Sequence, residues 1–402
     1  MAGKSIARKQ PIAPVQWFRL TMLAVAVGFT GCAPGVQNAD VSPNAESANA
    51  GSANTGSANA ADRPQIVATS SVLCDLTRQI AQDTVALTCL LQPNQDPHVY
   101  EPAPSDRRAI EDADLVLYGG YGYEPSLDKI IEATSTDSPK VAVFEAAVPN
   151  PLLGEAHNHE HGHDHEADTE QSQEAIALED HADDHDHAEE EAGGATAASA
   201  DADHDHSDET VAEGEVPDPH IWHNAQHGSK IAETIAQQLA GVAPEHAEQY
   251  QQNAAAIASE LTQLDSWIKT QVATVPQSSR QLITTHDSFQ YFADAYGFEI
   301  KGALEGLSTE QRPSAARLTE LVETVKEAGV AAIFAETTTN RSLIETVAKD
   351  ADVAVAEQPL YVEGPGGDDT SAPTYQHMFV ANTCTVVNAL GGECDEASAP
   401  VQ

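Results

Sequence analysis

The sequence predicts an α/β protein of two similar lobes with mainly parallel sheets. A long rigid helix joins the lobes, and the ligand site falls in the cleft between them. Three observations carry that reading. Short apolar runs alternate with helical periods over residues 63–146, the pattern of βαβ units. The same alternation returns between residues 281 and 390. Between the two runs stands one unbroken helical pattern, "PEHAEQYQQNAAAIASELTQLDSWIKTQV", at 244–272. Proline opens it, as suits a first helical turn. At ~1.5 Å per residue it reaches about 40 Å, enough to cross a domain. Two lobes on such a strut leave a cleft, a common place for a small ligand.

In the first lobe "QIVATS" reads as a strand, "VLCDLTRQIAQ" as a helix and "VALTCLL" as a second strand. "PSDRRAIEDA" follows as a short helix with Ser105 as its N-cap, then "DLVLYGG" as a third strand. "SLDKIIEAT" is a helix and "KVAVFE" a fourth strand. In the second lobe the strands are "QLITT", "FEIKGAL", "AAIFAE" and "VAVAEQPL". Their helices are "HDSFQYFADAYG", "PSAARLTELVETVKEAG", "NRSLIETVAKD" and "TYQHMFVANTCTVVNAL".

The N-terminus reads as an export signal. Lys4, Arg8, Lys9 and Arg19 precede the apolar stretch "LTMLAVAVGFTG", which is shorter than the ~20 residues of a membrane span. It ends at "FTGCAPG", where small residues before Cys32 resemble a lipoprotein cleavage box with Cys32 as the lipidated residue. Residues 33–61 repeat Ser-Ala-Asn and read as a flexible tether. The division is then a signal peptide at 1–31, a tether at 32–61 and an N-terminal lobe at 62–243. A linking helix at 244–273 and a C-terminal lobe at 276–402 complete it. Four further cysteines, Cys74, Cys89, Cys384 and Cys394, permit two disulfides in an exported protein. Pairing of nearest neighbours, Cys74–Cys89 and Cys384–Cys394, is one of three connectivities. None has the Cys-x-x-Cys spacing of a thiolate metal site.

The formal net charge is −44. Such a chain is a poor partner for nucleic acid, whose phosphates want Lys and Arg, and it favours cations. An insert at 154–217 within the first lobe concentrates this character. Residues 155–218 hold 23 of the 63 acids and no Lys or Arg. Ten of the 17 histidines fall there: His157, His159, His161, His163 and His165, then His181, His185 and His187, then His204 and His206. With few large apolar residues the insert is expected to lack order without metal. Its imidazoles would form a loose accessory metal site, weakened by the entropy of ordering them.

The triplet Asp-Pro-His flanks the insert, in "DPHVYEP" (96–102) and "DPHIWHN" (218–224). Proline restrains the residue before it and stiffens the approach of the histidine. In open parallel sheets, ligands bind beyond the carboxyl ends of strands. His98 follows one strand by a short loop, His286 follows "QLITT" directly, and Glu363 follows "VAVAEQPL" in "LYVEG". His220 leads into a helical region, with His223 as its competitor three residues on. Three imidazoles and a carboxylate make a four-ligand set for zinc or a similar borderline metal. Asp96, Asp218 and Asp287 are candidate acceptors from the imidazoles. Glu336, at the end of a buried strand, reads as a structural hydrogen-bond acceptor, and Trp222 and Tyr100 as packing around the site.

Taken with "THDSFQYFADAYG", "GLSTEQRPSAARL", "IFAE" and "TYQHMFVAN", these motifs occur in the order expected of one family. The chain resembles the metal-binding lipoprotein of bacterial zinc/manganese ABC importers over residues 63–395. The resemblance implies two α/β lobes bridged by a rigid helix. It implies His98, His220 and His286 as metal ligands. It places Glu363, Asp368, Asp369 or a water in the fourth position, where the family usually has an Asp. Manganese-type members generally carry Glu at the position of His286, so histidine there favours Zn²⁺ over Mn²⁺. The implied partners are an integral-membrane permease and its cytoplasmic ATPase. The protein would be an exported, lipid-anchored monomer facing the periplasm or the extracellular side. Three imidazoles and an open position could also serve a zinc hydrolase, but no obvious general base pair stands beside them. An extracytoplasmic metal buffer or adhesin dominated by the insert is the other alternative.

Overall fold

The structure, a computed structural model, describes residues 63–155 and 215–401. Strand β1 (Gln65–Ala68) opens it, and Ser70 caps helix α1 (Ser71–Ala81) through its hydroxyl. Strand β2 (Ala86–Cys89), helix α2 (Pro104–Asp112), strand β3 (Leu115–Tyr118), helix α3 (Pro125–Ala133) and strand β4 (Lys140–Ala142) follow. The four strands pair in parallel in the order β2-β1-β3-β4. Both faces of this sheet are buried. Ile66, Ala68, Leu115 and Leu117 point into the main core, while Val67 and Val116 pack beneath α2 and α3 with Ile110, Leu127 and Ile131. Alternate residues facing opposite layers is the expected strand period.

Two local expectations fail here. Ser105 does not cap α2. Pro104 takes the first helical position, Ala103 is the N-cap, and the carboxylate of Asp106 reaches back to the Ala103 N–H at 2.7 Å. The run "KVAVFE" is half strand and half helix, because α4 (Val143–Ala147) begins directly after β4. Val143 and Phe144 turn inward together on a helical turn, which a strand would not allow.

Strands β5 (Leu153–Glu155) and β6 (Glu215–Pro217) pair antiparallel and bring the two ends of the insert together. A 3₁₀ turn at Ile221–His223 leads into α5 (Ala225–Val242). A second 3₁₀ turn at Pro244–His246 precedes the long helix α6 (Ala247–Val272). Its 26 residues span about 39 Å. The two helices pack along each other, and α6 also meets α1 and the C-terminal helix.

The second half repeats the layout. Strand β7 (Gln281–His286), helix α7 (Gln290–Tyr296), strand β8 (Glu299–Glu305) and helix α8 (Ala315–Ala328) come first. Strand β9 (Ala332–Ile333), helix α9 (Arg341–Ala351), strand β10 (Ala354–Val355) and helix α10 (Tyr375–Ala389) follow. β7 pairs parallel with β8, and β9 with β10. A bond from the Phe334 N–H to the Ile283 carbonyl at 2.9 Å ties the pairs together. Ile283, Leu304, Ile333 and Ala335 form a separate small core with Leu321, Val325, Ile344 and Val347. Leu282 and Phe334, on the other face, join the main core. Disulfides link Cys74 to Cys89 and Cys384 to Cys394.

One buried carboxyl in the first lobe makes stability pH-dependent. Glu124 is fully buried and accepts hydrogen bonds from Thr69 Oγ1 (2.5 Å) and the Gly119 N–H (2.9 Å). Burial, the largest influence, outweighs these bonds and pushes it up to about 8. Below its unfolded value near 4.5, both states hold the proton and nothing changes with pH. Between there and about 8 only the folded state keeps it, so stability falls as pH rises, by about 1.4 kcal/mol per unit at the steepest. Glu124→Gln should flatten this slope and stabilise the protein at pH 8 more than at pH 5. Urea unfolding of both proteins at the two pH values measures it.

Candidate metal centre

His98, His220, His286 and Glu363 converge. Each offers one donor atom, and the four atoms lie within 4.8 Å of one another. All four residues are buried, the most exposed, Glu363, at 4 %. His98 sits in the loop after β2, and His220 at the entry to the 3₁₀ turn. His286 is the last residue of β7, and Glu363 follows the Glu336–Leu360 bridge. Asp368 and Asp369 are exposed and stand apart from this group.

Carboxylates orient two of the imidazoles. Asp218 Oδ1 accepts the His220 backbone N–H at 2.9 Å and lies 2.8 Å from Nδ1. Glu336 does the same for His286, with Oε1 at 3.1 Å from the backbone N and Oε2 at 2.6 Å from Nδ1. Each ring therefore donates through Nδ1 and turns Nε2 toward the centre. Asp96 acts instead on the backbone, accepting the His98 N–H at 3.0 Å, while its other oxygen takes the Thr309 hydroxyl. Asp287 accepts from the Gln290 amide rather than from an imidazole. His223 lies outside the group, with its ring stacked on Phe289 at 4.5 Å.

Two of the central spacings match those around a tetrahedral ion. Ligand bonds of about 2.0–2.1 Å at tetrahedral angles set neighbouring donors about 3.3–3.4 Å apart. His286 Nε2 lies 3.3 Å from His220 Nε2 and 3.3 Å from Glu363 Oε1. His98 Nε2 is 3.9 Å from the same Oε1. His98 Nε2 and Glu363 Oε1 are buried without a hydrogen-bond partner. Buried polar atoms are normally paired, so unpaired donors aimed at one point suit a cation.

Charge agrees with this. Burial pulls His98 down to about 4 and His220 down to about 3, so both stay neutral and offer lone pairs at neutral pH. Burial also depresses His286, but Glu336 and Glu363 outweigh it and hold the ring well above its usual value. Burial raises Glu363, yet His286, His98 and His220 together keep it ionised, well below the carboxylate range. The carboxylate and the His286 proton are thus mutually stabilised, and an incoming metal takes that proton's place.

Two groups around the donors were not equally readable. Glu336 has the role of an acceptor, as its strand-end position suggests, but its partner His286 is 50 residues away. Tyr123 gives no signal in "YGGYGYEPS". Its hydroxyl donates to Glu363 Oε2 at 2.9 Å, across 240 residues of sequence. Trp222 packs on Tyr123 at 4.7 Å and donates from Nε1 to the Val362 carbonyl at 2.9 Å. The loop bearing Glu363 also meets α1. The Ser71 hydroxyl donates to the Glu363 carbonyl at 2.9 Å. Gly364 has φ +129°, and a Cβ there would fall 2.2 Å from Ser71 Oγ, so only glycine fits this approach.

Glu336→Gln is expected to weaken metal binding about 10–100-fold while the fold persists, because the amide cannot accept both the backbone and ring N–H of His286. Competition against a chromophoric chelator reads the change.

A two-lobed α/β fold with a buried three-histidine, one-carboxylate centre defines a solute-binding protein for a metal ion. The family model described as ZnuA, "Zinc-uptake complex component A periplasmic", matches residues 66–389, and the chain belongs to that family. Its members are transport proteins that bind solute and are not enzymes. The manganese-binding lipoprotein MntA of Bacillus subtilis (strain 168) is 27 % identical over 331 residues, covering 81 % of this chain and 89 % of the relative. The zinc-binding protein TroA of Treponema pallidum (strain Nichols) is 27 % identical over 337 residues, covering 82 % and 90 %. The solved structure of the periplasmic zinc-binding protein TroA from Treponema pallidum superposes with a TM-score of 0.64 at 25 % identity, covering 82 % of this chain and 99 % of that one. Cys32 and the ten histidines of the insert lie outside the described residues. Among the described residues no helix is long and apolar enough to cross a membrane.

Proposed function

We propose that this protein captures Zn²⁺ outside the cytoplasmic membrane and delivers it to an integral-membrane permease driven by a cytoplasmic ATPase. His98, His220, His286 and Glu363 are the ligands, and Cys32 carries the lipid anchor. The carrying observation is the donor chemistry: three buried imidazoles against one carboxylate, with His286 3.3 Å from two of its neighbours, close to a tetrahedral edge. Imidazole-rich, four-coordinate sites suit zinc, whereas manganese favours carboxylate, carbonyl and water oxygens. The insert is an accessory collector of lower affinity.

Manganese is the second reading, favoured by the name of the relative MntA. The test is a calorimetric titration of Zn²⁺ and Mn²⁺, against a competing chelator, into residues 62–402 with and without 157–213. This deletion keeps the β5–β6 stem and leaves Ala156 and Gly214 as a two-residue turn. One tight zinc site in both proteins supports the carrier reading. Tighter manganese binding corrects the metal. Loss of tight binding with the insert would make the chain a metal buffer.

A further inference from the structure

We propose that Tyr123 sets the metal specificity of the centre by holding Glu363 as a one-oxygen ligand. A carboxylate can ligate through one oxygen or two, and the choice decides how many donors surround an ion. Glu363 is divided between two tasks. Oε1 faces the imidazoles, 3.3 Å from His286 Nε2 and 3.9 Å from His98 Nε2, and has no hydrogen-bond partner. Oε2 turns the other way and accepts the Tyr123 hydroxyl at 2.9 Å. A tyrosine hydroxyl keeps its proton at neutral pH, since a phenol ordinarily titrates at pH ~10. It is therefore a standing donor.

The tyrosine is itself fixed. It is fully buried, with its ring 4.7 Å from Trp222, 5.7 Å from Phe144 and edge-on to His98 at 5.5 Å. Rotation of Glu363 toward two-oxygen ligation breaks the 2.9 Å Tyr123 bond and leaves the buried hydroxyl only the Glu363 carbonyl at 3.5 Å. The Ser71 bond to the Glu363 carbonyl resists a compensating shift of the backbone. Three nitrogens and one oxygen then make a four-coordinate site, which suits zinc. An ion that prefers six or more oxygen-rich contacts is refused the second oxygen.

Tyr123 acts through Glu363 and is a positioning residue. The inference deepens the zinc reading, so its test separates the two. The full chain, wild type and Tyr123→Phe, is loaded with one equivalent of Co²⁺, and visible absorption reports coordination number. The Zn²⁺/Mn²⁺ affinity ratio is measured on the same proteins. We expect the intense bands of four-coordinate cobalt in the wild type and weaker bands in Tyr123→Phe. The zinc-over-manganese ratio should fall about 10–100-fold in the variant, the range for loss of an outer partner of a ligand. A merely structural role would lower the melting temperature but leave the cobalt spectrum and the ratio unchanged, and that result overturns the inference. So do weak, high-coordination bands in the wild type, which need no variant to fold. A wild type that prefers Mn²⁺ yet shows the cobalt change would sink the zinc reading and keep the role of Tyr123.

Discussion

Replacing His286 with alanine is expected to abolish tight zinc binding. Its Nε2 is close to two other donors at once, 3.3 Å from both His220 Nε2 and Glu363 Oε1. Losing a donor outright should exceed the ~10–100-fold cost of losing a hydrogen bond behind one. The same change leaves Glu336 buried without its imidazole. Removing one partner of a buried charged pair costs about 3–5 kcal/mol, so the melting temperature should fall as well. The double variant His286→Ala, Glu336→Gln separates the two effects. Stability should recover and binding should not. Chelator competition on the chain lacking 157–213 makes the measurement, since accessory histidines would otherwise mask the loss. A tight site surviving in His286→Ala would move the centre elsewhere.

The second large effect is on stability. Trp222→Ala should cost about 3–5 kcal/mol, as for other buried aromatic truncations. Trp222 is wholly buried among Tyr123, Phe144 and His220. Its indole N–H holds the Val362 carbonyl, and its own carbonyl accepts the Tyr375 hydroxyl at 2.5 Å. The substitution opens a cavity beside His220 and frees the residue before Glu363. Zinc affinity should therefore drop with stability, although no ligand has changed. Urea unfolding with and without zinc checks both parts. Saturating zinc should restore less stability to the variant than it adds to the wild type, because that gain follows affinity. Trp222→Phe, which keeps most of the packing, should lie between.

The fold class was readable because the strand–helix alternation is local. The second sheet was harder. "AAIFAE" and "VAVAEQPL" each form only two strand residues, and the chain continues them through single bonds such as Phe334 N–H to Ile283. Strand propensity marks such runs but not where pairing stops. At the centre, the proline-stiffened repeats and the strand ends pointed to His98, His220, His286 and Glu363. What lay behind them was less visible. Asp218 is two residues from its histidine and could be named from sequence. The pairing of Glu336 with His286, and of Tyr123 with Glu363, depends on tertiary contact across 50 and 240 residues. No periodicity distinguishes Tyr123 from Tyr121, whose hydroxyl instead bonds the Val148 carbonyl.

The tight approach of Gly364 to α1 bears on how an ion would leave. Glu363 comes late in the chain, yet its surroundings belong to the first half: Ser71 grips its carbonyl, Tyr123 its side chain and Trp222 the residue before it. His98 and His220 belong to that half by sequence. His286 is anchored directly by the second sheet, through β7 and Glu336, whereas Glu363 meets that sheet only three residues away, where Leu360 bridges Glu336. Were the second sheet to part from the first half, it would withdraw the His286 nitrogen directly and reach Glu363 only through Leu360, against the grip of Ser71, Tyr123 and Trp222.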